Sequence, residues 1–224
     1  MDRISRERIS DILLSRNEGT RGEFLKTFGS EINVFIDGLS QVYERLSDLG
    51  KELPKEKRAA WVRMFLLSSF DSLLASFHLL ISGFLNPAGS LMHNWAEALA
   101  MALLCSDERI DAFDRFRANP AQFPVHRAPD ILRRRDNARI LNIDPEGWAT
   151  FREINNYFDK YSYAFALANL NPFSQDGQRP FGSQVDAEKV NEYREEIDLR
   201  ISACERLLES IGVAKTHLAL TPKA

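Results

Sequence analysis

This chain of 224 residues lacks most of the patterns by which a sequence names its own chemistry. H-E-x-x-H, G-x-S-x-G, the P-loop and G-x-G-x-x-G are all absent, so no zinc peptidase, serine hydrolase or nucleotide-binding site is announced by motif. No glutamate stands three residues before any of the four histidines, His78, His93, His126 and His217. The Glu-x-x-His pairs that aim carboxylate and imidazole at a di-iron centre are therefore missing. There are only two cysteines, Cys105 and Cys204, each in an apolar helical context and without C-x-x-C spacing. That reads as two buried, reduced thiols in preference to a redox or zinc site. Charge of one sign is also missing: the net value is −3 with a pI near 5.9, which gives no global pull toward nucleic acid or an anionic membrane. The opening MDRISRERISDILLSR has no apolar signal-peptide core, so cytoplasmic residence is expected. No cofactor and no dedicated metal site are expected from these patterns.

What is present is apolar and helical in period. With 44% hydrophobic and 27% charged residues the profile is that of an ordinary globular domain, taken as one unit over 1–224. Every long segment repeats at 3.6 or 3.5 residues and none at two, so the fold class is all-α. Its centre is the stretch from Trp61 to Cys105. The first arm, WVRMFLLSSFDSLLASFHLLIS, stops at Gly83, the residue suited to a left-handed C-terminal cap. Asn86 and Pro87 read as the start of the second arm. So short a connection forces an antiparallel hairpin. Between Trp95 and Cys105 the only polar side chain is Glu97, and a helix with no polar face is a buried one. A membrane hairpin is the competing reading, but Asp71, His78 and several serines interrupt the first arm. A central aspartate alone costs roughly 2.5–3.5 kcal/mol to insert, so no membrane is expected.

N-terminal to the hairpin, Phe28, Ile32, Phe35, Leu39, Val42, Leu46 and Leu49 recur at alternating spacings of four and three, an a/d seam. It predicts a helix from about Thr20 to Leu49. Gly29 and Gly38 mark places where another helix could approach its backbone. The seam has two readings. It packs inside its own domain, or it makes a homo-oligomer, leaving residues 1–54 peripheral or dimerising.

C-terminal to the hairpin, Ser106-Asp107-Glu108 resembles a helix start, and Ala112, Phe113 and Phe116 suggest a short amphipathic helix ending before Asn119-Pro120. NPAQFPVHRAPD then reads as an irregular surface loop. From Pro129 to Asn142 the chain is basic, with Arg133, Arg134, Arg135 and Arg139 on one short helix. The run wraps the helix instead of forming one clamp, so it is a solvated surface or a phosphate or RNA contact, and without interleaved aromatics nucleic acid is not the expected partner. Asp144-Pro145 marks a further helix start, followed by an aromatic stripe from Trp148 to Phe165 read as core packing. After a Gly/Pro-rich loop, Asp186 is expected to cap a last helix with Val190, Ile197, Ile201, Cys204, Leu208 and Ile211 on one stripe, closed by Gly212.

The run GFLNPAGSLMHNWAE from Gly83 to Glu97, with the later YFDKYSYA from Tyr157, resembles a group of bacterial all-helical proteins. That group shares Gly, Ala, then Leu-hydrophobic-Arg and a Glu four residues on, and some of its members are HEPN-like. The resemblance covers roughly Leu73 to Ala168. Glu97 matches; His93 stands where the group has arginine, and Tyr163 where histidine is common. It implies an all-helical protein of a bacterial stress or defence system. The HEPN ribonuclease site resembles Arg, four to six residues, then His, and no histidine here has an arginine five to seven positions before it.

Glu97 is the candidate site that the residues themselves raise. A buried carboxylate needs a partner. His93 and Asn94, four and three residues earlier, can reach it, and His78 is expected at a similar depth on the facing arm. Such a cluster is a structural network, completed by an arginine such as Arg139 or Arg152, or a ligand or metal site. On balance the expected function is a non-catalytic helical interaction or self-association protein. The alternative is a nucleic-acid-directed enzyme or binder that uses Arg133 to Arg139.

Overall fold

A computed structural model describes residues 17–53, 56–159 and 189–220. The fold is all-α, with no strand among the described residues. In chain order the helices are α1 (Glu18–Glu52), α2 (Lys57–Ile81), α3 (Leu85–Ser106), α4 (Ala112–Ala118), α5 (Ala128–Leu132), α6 (Arg135–Ile140), α7 (Pro145–Asp159) and α8 (Val190–Leu220). The N-terminal stretch, Tyr161 to Phe165 of the aromatic stripe, the Gly/Pro-rich loop and the expected cap Asp186 lie outside the described residues.

The α2/α3 hairpin forms as its sequence requires. Gly83 takes a left-handed φ of 81°, and the amides of Gly83 and Phe84 donate to Leu80 and Leu79 carbonyls, closing α2. Asn86 is not the cap of the second arm. Phe84 holds that position with no side-chain bond, and its carbonyl accepts the Ala88 amide at 3.1 Å. Two serines lock the register: Ser76 donates to the Ala88 carbonyl at 2.8 Å and Ser69 to that of Trp95 at 3.2 Å. Every residue of α3 from Ala98 to Ser106 is buried. Each fully buried Leu or Met there contributes about 1.5–3 kcal/mol.

α1 and α8 complete a bundle with the hairpin. The rings of Phe35 and Phe77 stack at 3.8 Å across the antiparallel α1/α2 pair. α8 runs parallel to α1, with Tyr193 against Phe24, Cys204 against Gly38 and Lys215 paired with Glu52. A Cβ at Gly38 would stand 3.3 Å from that of Cys204, so this glycine is the close approach between the two helices; Gly29 faces open space instead. Near it, Phe28 leaves helical geometry at φ −126°, ψ 25° and kinks α1. Six of the seven a/d residues, Phe28, Ile32, Phe35, Val42, Leu46 and Leu49, are buried inside the chain and Leu39 is partly buried against the same core, so the seam faces inward.

Several ends differ from expectation. α1 passes Gly50 to reach Glu52, and α8 passes Gly212 to reach Leu220, because packing on α1 and on the end of α3 outweighs the ~1 kcal/mol that a helical glycine costs. Ser106 does not start a helix: it is the buried end of α3, its hydroxyl donating to the Leu103 carbonyl at 2.7 Å. The basic stretch is not one helix. It breaks between α5 and α6, where Arg134 is extended. Asp144 does cap α7, accepting the amides of Glu146 and Gly147 at 3.1 and 3.0 Å.

Candidate functional site

The outer face of α3 carries the pair expected around Glu97. His93 Nε2 lies 3.0 Å from Glu97 Oε1, and both side chains are about one-fifth exposed. The second ring nitrogen, Nδ1, faces Asp159 at the end of α7, 3.6 Å from its Oδ1. The Glu97 carboxylate, hydrogen-bonded to the ring, raises the His93 pKa above its ordinary value; partial burial opposes this, and Asp159 adds to it. The two carboxylates address opposite ring nitrogens, so they cannot converge with the imidazole on a single ion. The imidazole thus stands between a hydrogen-bonded carboxylate on α3 and a more distant one on α7. Among the described residues its buried Nδ1 has no hydrogen-bond partner, and no grouping of His, Cys, Asp or Glu suited to a metal occurs.

The other members of the expected cluster lie elsewhere. The serine register sets His78 level with the hairpin turn, about three turns from Glu97, and on the α1 side. There its Nε2 is 2.8 Å from Arg21 Nη2, and Arg21 also donates to Ser82. Asn94 is exposed and does not bond Glu97. Neither Arg139 nor Arg152 completes the pair. In the basic stretch, Arg133 is bound locally, to Asp130 at 3.3 Å and Asn156 at 3.2 Å. Arg134, Arg135 and Arg139 are exposed.

Two polar groupings had no counterpart in the sequence reading. Arg200 and Glu196 on α8 are 0% and 1% exposed and bond at 2.6 Å. Arg200 also donates to Ser76 at 2.9 Å and lies over the Phe158 ring at 4.9 Å, while Tyr157 donates to Glu196. Burial and the neighbouring Glu196 push the Tyr157 hydroxyl pKa up. The pair thus ties α8 to α2 and α7 through the core, although Arg200 Nη2 is left without a hydrogen-bond partner. The second grouping joins the ends of α3 and α8. Asp107, nearly buried, accepts Arg109 Nε and Nη2 at 2.9 and 2.7 Å, and its Oδ2 lies 2.7 Å from His217 Nδ1. His217 Nε2 faces the Leu141 carbonyl at 3.2 Å. The Arg109 guanidinium holds the Asp107 pKa down to about 2 against the effect of burial.

No family model, curated protein or solved structure matches this chain. The resemblance to the HEPN-like group therefore rests on the quoted residues alone. Cys105 and Cys204 are free and buried, with burial pushing each thiol up to about 12, so neither offers a thiolate nucleophile at neutral pH.

The remaining distinctive surface is apolar. Leu25, Ile36 and Tyr43 on α1, with Met64 and Leu74 on α2, are between 45% and 62% exposed. The two helices are neighbours here, the Tyr43 and Phe70 rings lying 6.0 Å apart. Along α1, Leu25, Ile36 and Tyr43 share a face with Gly22, Gly29, Ser40 and Ser47, a strip without a charged side chain. α2 is also, by length and composition, the one described helix apolar enough to cross a membrane, although a third of its most apolar window is buried in the bundle.

Proposed function

We propose that this chain is a non-catalytic helical interaction protein that self-associates through the outward faces of α1 and α2. The observation that carries the reading is the exposed apolar strip of Leu25, Ile36, Tyr43, Met64 and Leu74, flanking a seam whose own side chains are spent inside the fold. Large apolar groups gathered on neighbouring helices mark interaction surfaces, whereas singly scattered ones do not. A second copy fits because the α1 part of the strip, uncharged from Gly22 to Ser47, alternates small and large residues and can meet its own twofold mate without opposing like charges, the exposed Asp71 between Met64 and Leu74 lying to its side on α2. The absence of a nucleophile among the cysteines and the position of His93 between two carboxylates are consistent with a role without chemistry.

The test is light scattering across a concentration series, with Tyr43→Lys and Leu74→Lys as surface variants. Concentration-dependent dimers, lost in both variants while the melting temperature is kept, are the expected result. A monomer at high micromolar concentration overturns the proposal. So does association that survives both substitutions, or association seen only with lipid vesicles or RNA.

A further inference from the structure

A hollow of about 290 Å³ opens beside the end of α3, lined by Arg109, Asp136, Arg139 and Ile140. Its two guanidiniums are in different states. Arg109 is held in place: Asp107 accepts from Nε and Nη2, and the Ile140 carbonyl accepts a further Nη2 bond at 3.1 Å. Asp107 is itself fixed from the buried side by His217. These bonds use Nε–H and both Nη2 hydrogens, leaving the two Nη1 donors unspent. Among the described residues Arg139 forms no ion pair or hydrogen bond through its side chain, which leaves all five of its donors. Asp136, three residues earlier on α6, shares the hollow without pairing to either arginine.

One immobilised fork and one free fork over a common hollow make a preorganised clamp for a planar or tetrahedral oxyanion. The surrounding composition fits that use. From Arg109 to Arg152 the chain has nine arginines and no lysine, and arginine is the side chain that binds oxyanions bidentately. Charge decides how strong the site can be. Asp107 already offsets Arg109 and Asp136 opposes the anion, so net attraction comes from Arg139, with Arg135 one turn earlier on the same helix face. A bare dianion is therefore held weakly, and a ligand that also brings a hydroxyl for Asp136 is held better.

We propose that this hollow binds a phosphate group, carried by a free phosphomonoester or by a nucleic-acid backbone, between Arg109 Nη1 and the Arg139 guanidinium. The inference is independent of self-association, since it concerns another face of the bundle. Calorimetric titration of the full chain with inorganic phosphate, and separately with a short single-stranded RNA, tests it. Arg139→Gln removes the free fork from an exposed position and is expected to weaken phosphate binding at least about tenfold, as loss of a charge-assisted bond implies. Arg134→Gln makes the same charge change outside the hollow and is expected to alter binding by less than about twofold, as distant exposed charges do. Asp136→Asn should tighten inorganic phosphate. RNA binding with the same Arg139 dependence assigns the phosphate to a nucleic-acid backbone; phosphate binding without RNA binding assigns it to a small phosphomonoester. No saturable phosphate binding, or equal loss in the two arginine variants, overturns the site.

Discussion

Two ion pairs of identical spacing sit on two helices of this bundle and have different physical meanings. Glu196 and Arg200 on α8, four residues apart, are sealed in the core; His93 and Glu97 on α3, also four apart, lie at the bundle surface. Spacing puts both pairs on one face of a helix, but surroundings set their worth. A buried pair has paid a desolvation cost that only its partner offsets, so breaking it strands a charge in low dielectric. A pair that is partly open to solvent is screened by water and gains less. Arg200 has further commitments to Ser76 and the Phe158 ring, whereas His93 has only a second carboxylate at 3.6 Å.

The contrast is tested most directly by Arg200→Ala, which leaves the Glu196 carboxylate in the core without its cation and is expected to cost about 3–5 kcal/mol in denaturant unfolding. The double variant Glu196→Leu/Arg200→Met should recover most of that loss, because a matched apolar pair has no charge to strand. A cost near zero for the single variant would place Arg200 effectively in water and erase the difference between the pairs.

An intermediate effect is expected at Asp107, whose carboxylate is buried but reaches outward to Arg109. Asp107→Asn should cost about 2 kcal/mol by weakening bonds to two partners. The sign of its pH dependence follows from a lowered pKa. The stabilisation is present above the ordinary carboxylate value of 3.8 and is lost as pH falls through about 2. Stability curves of wild type and Asp107→Asn should therefore converge over that acid interval, and parallel curves there would remove Asp107 from the account.

The smallest effect belongs to the surface pair. Glu97→Gln should cost about 1 kcal/mol or less near neutral pH, with the fold intact. Because the His93 pKa is raised, its contribution is full below the ordinary value of 6.5 and declines as pH rises through the higher folded value. Titration of the His93 ring by NMR should show its pKa fall in Glu97→Gln. An unchanged value would mean that Glu97 does not set the charge of His93.

Why the sequence singled out the weaker pair is itself physical. Glu97 is conspicuous because everything around it is apolar, whereas Arg200 sits among charged residues on an amphipathic helix. The buried face of α8 follows Tyr193, Ile197, Arg200, Cys204, Leu207, Ile211, Ala214 and Leu218, spaced alternately four and three. With arginine at one seam position, an apolar count drifts to Ile201 and Leu208, which are only partly buried, and rotates the helix. Continued past Gly212, the corrected register brings His217 beside Leu218 on the inward face. The Glu196-x-x-x-Arg200 spacing was the available signal, but such pairs usually lie in solvent. His78 was misplaced because depth along a hairpin follows the register set by Ser69 and Ser76.

By itself the sequence determined the all-α class, the α2/α3 hairpin with its Gly83 turn, the burial of α3, the cap at Asp144 and the His93–Glu97 contact. All of these are local: they follow from helical period, end chemistry and side chains one turn apart. The tertiary structure alone decided that α8 runs parallel to α1, that the Phe28 to Leu49 seam is filled from within, and that Asp107 meets His217 across 110 residues. It also decided that Arg109 and Arg139 share a hollow. Those outcomes depend on which faces meet when helices distant in sequence pack, and helical periodicity carries no record of that choice.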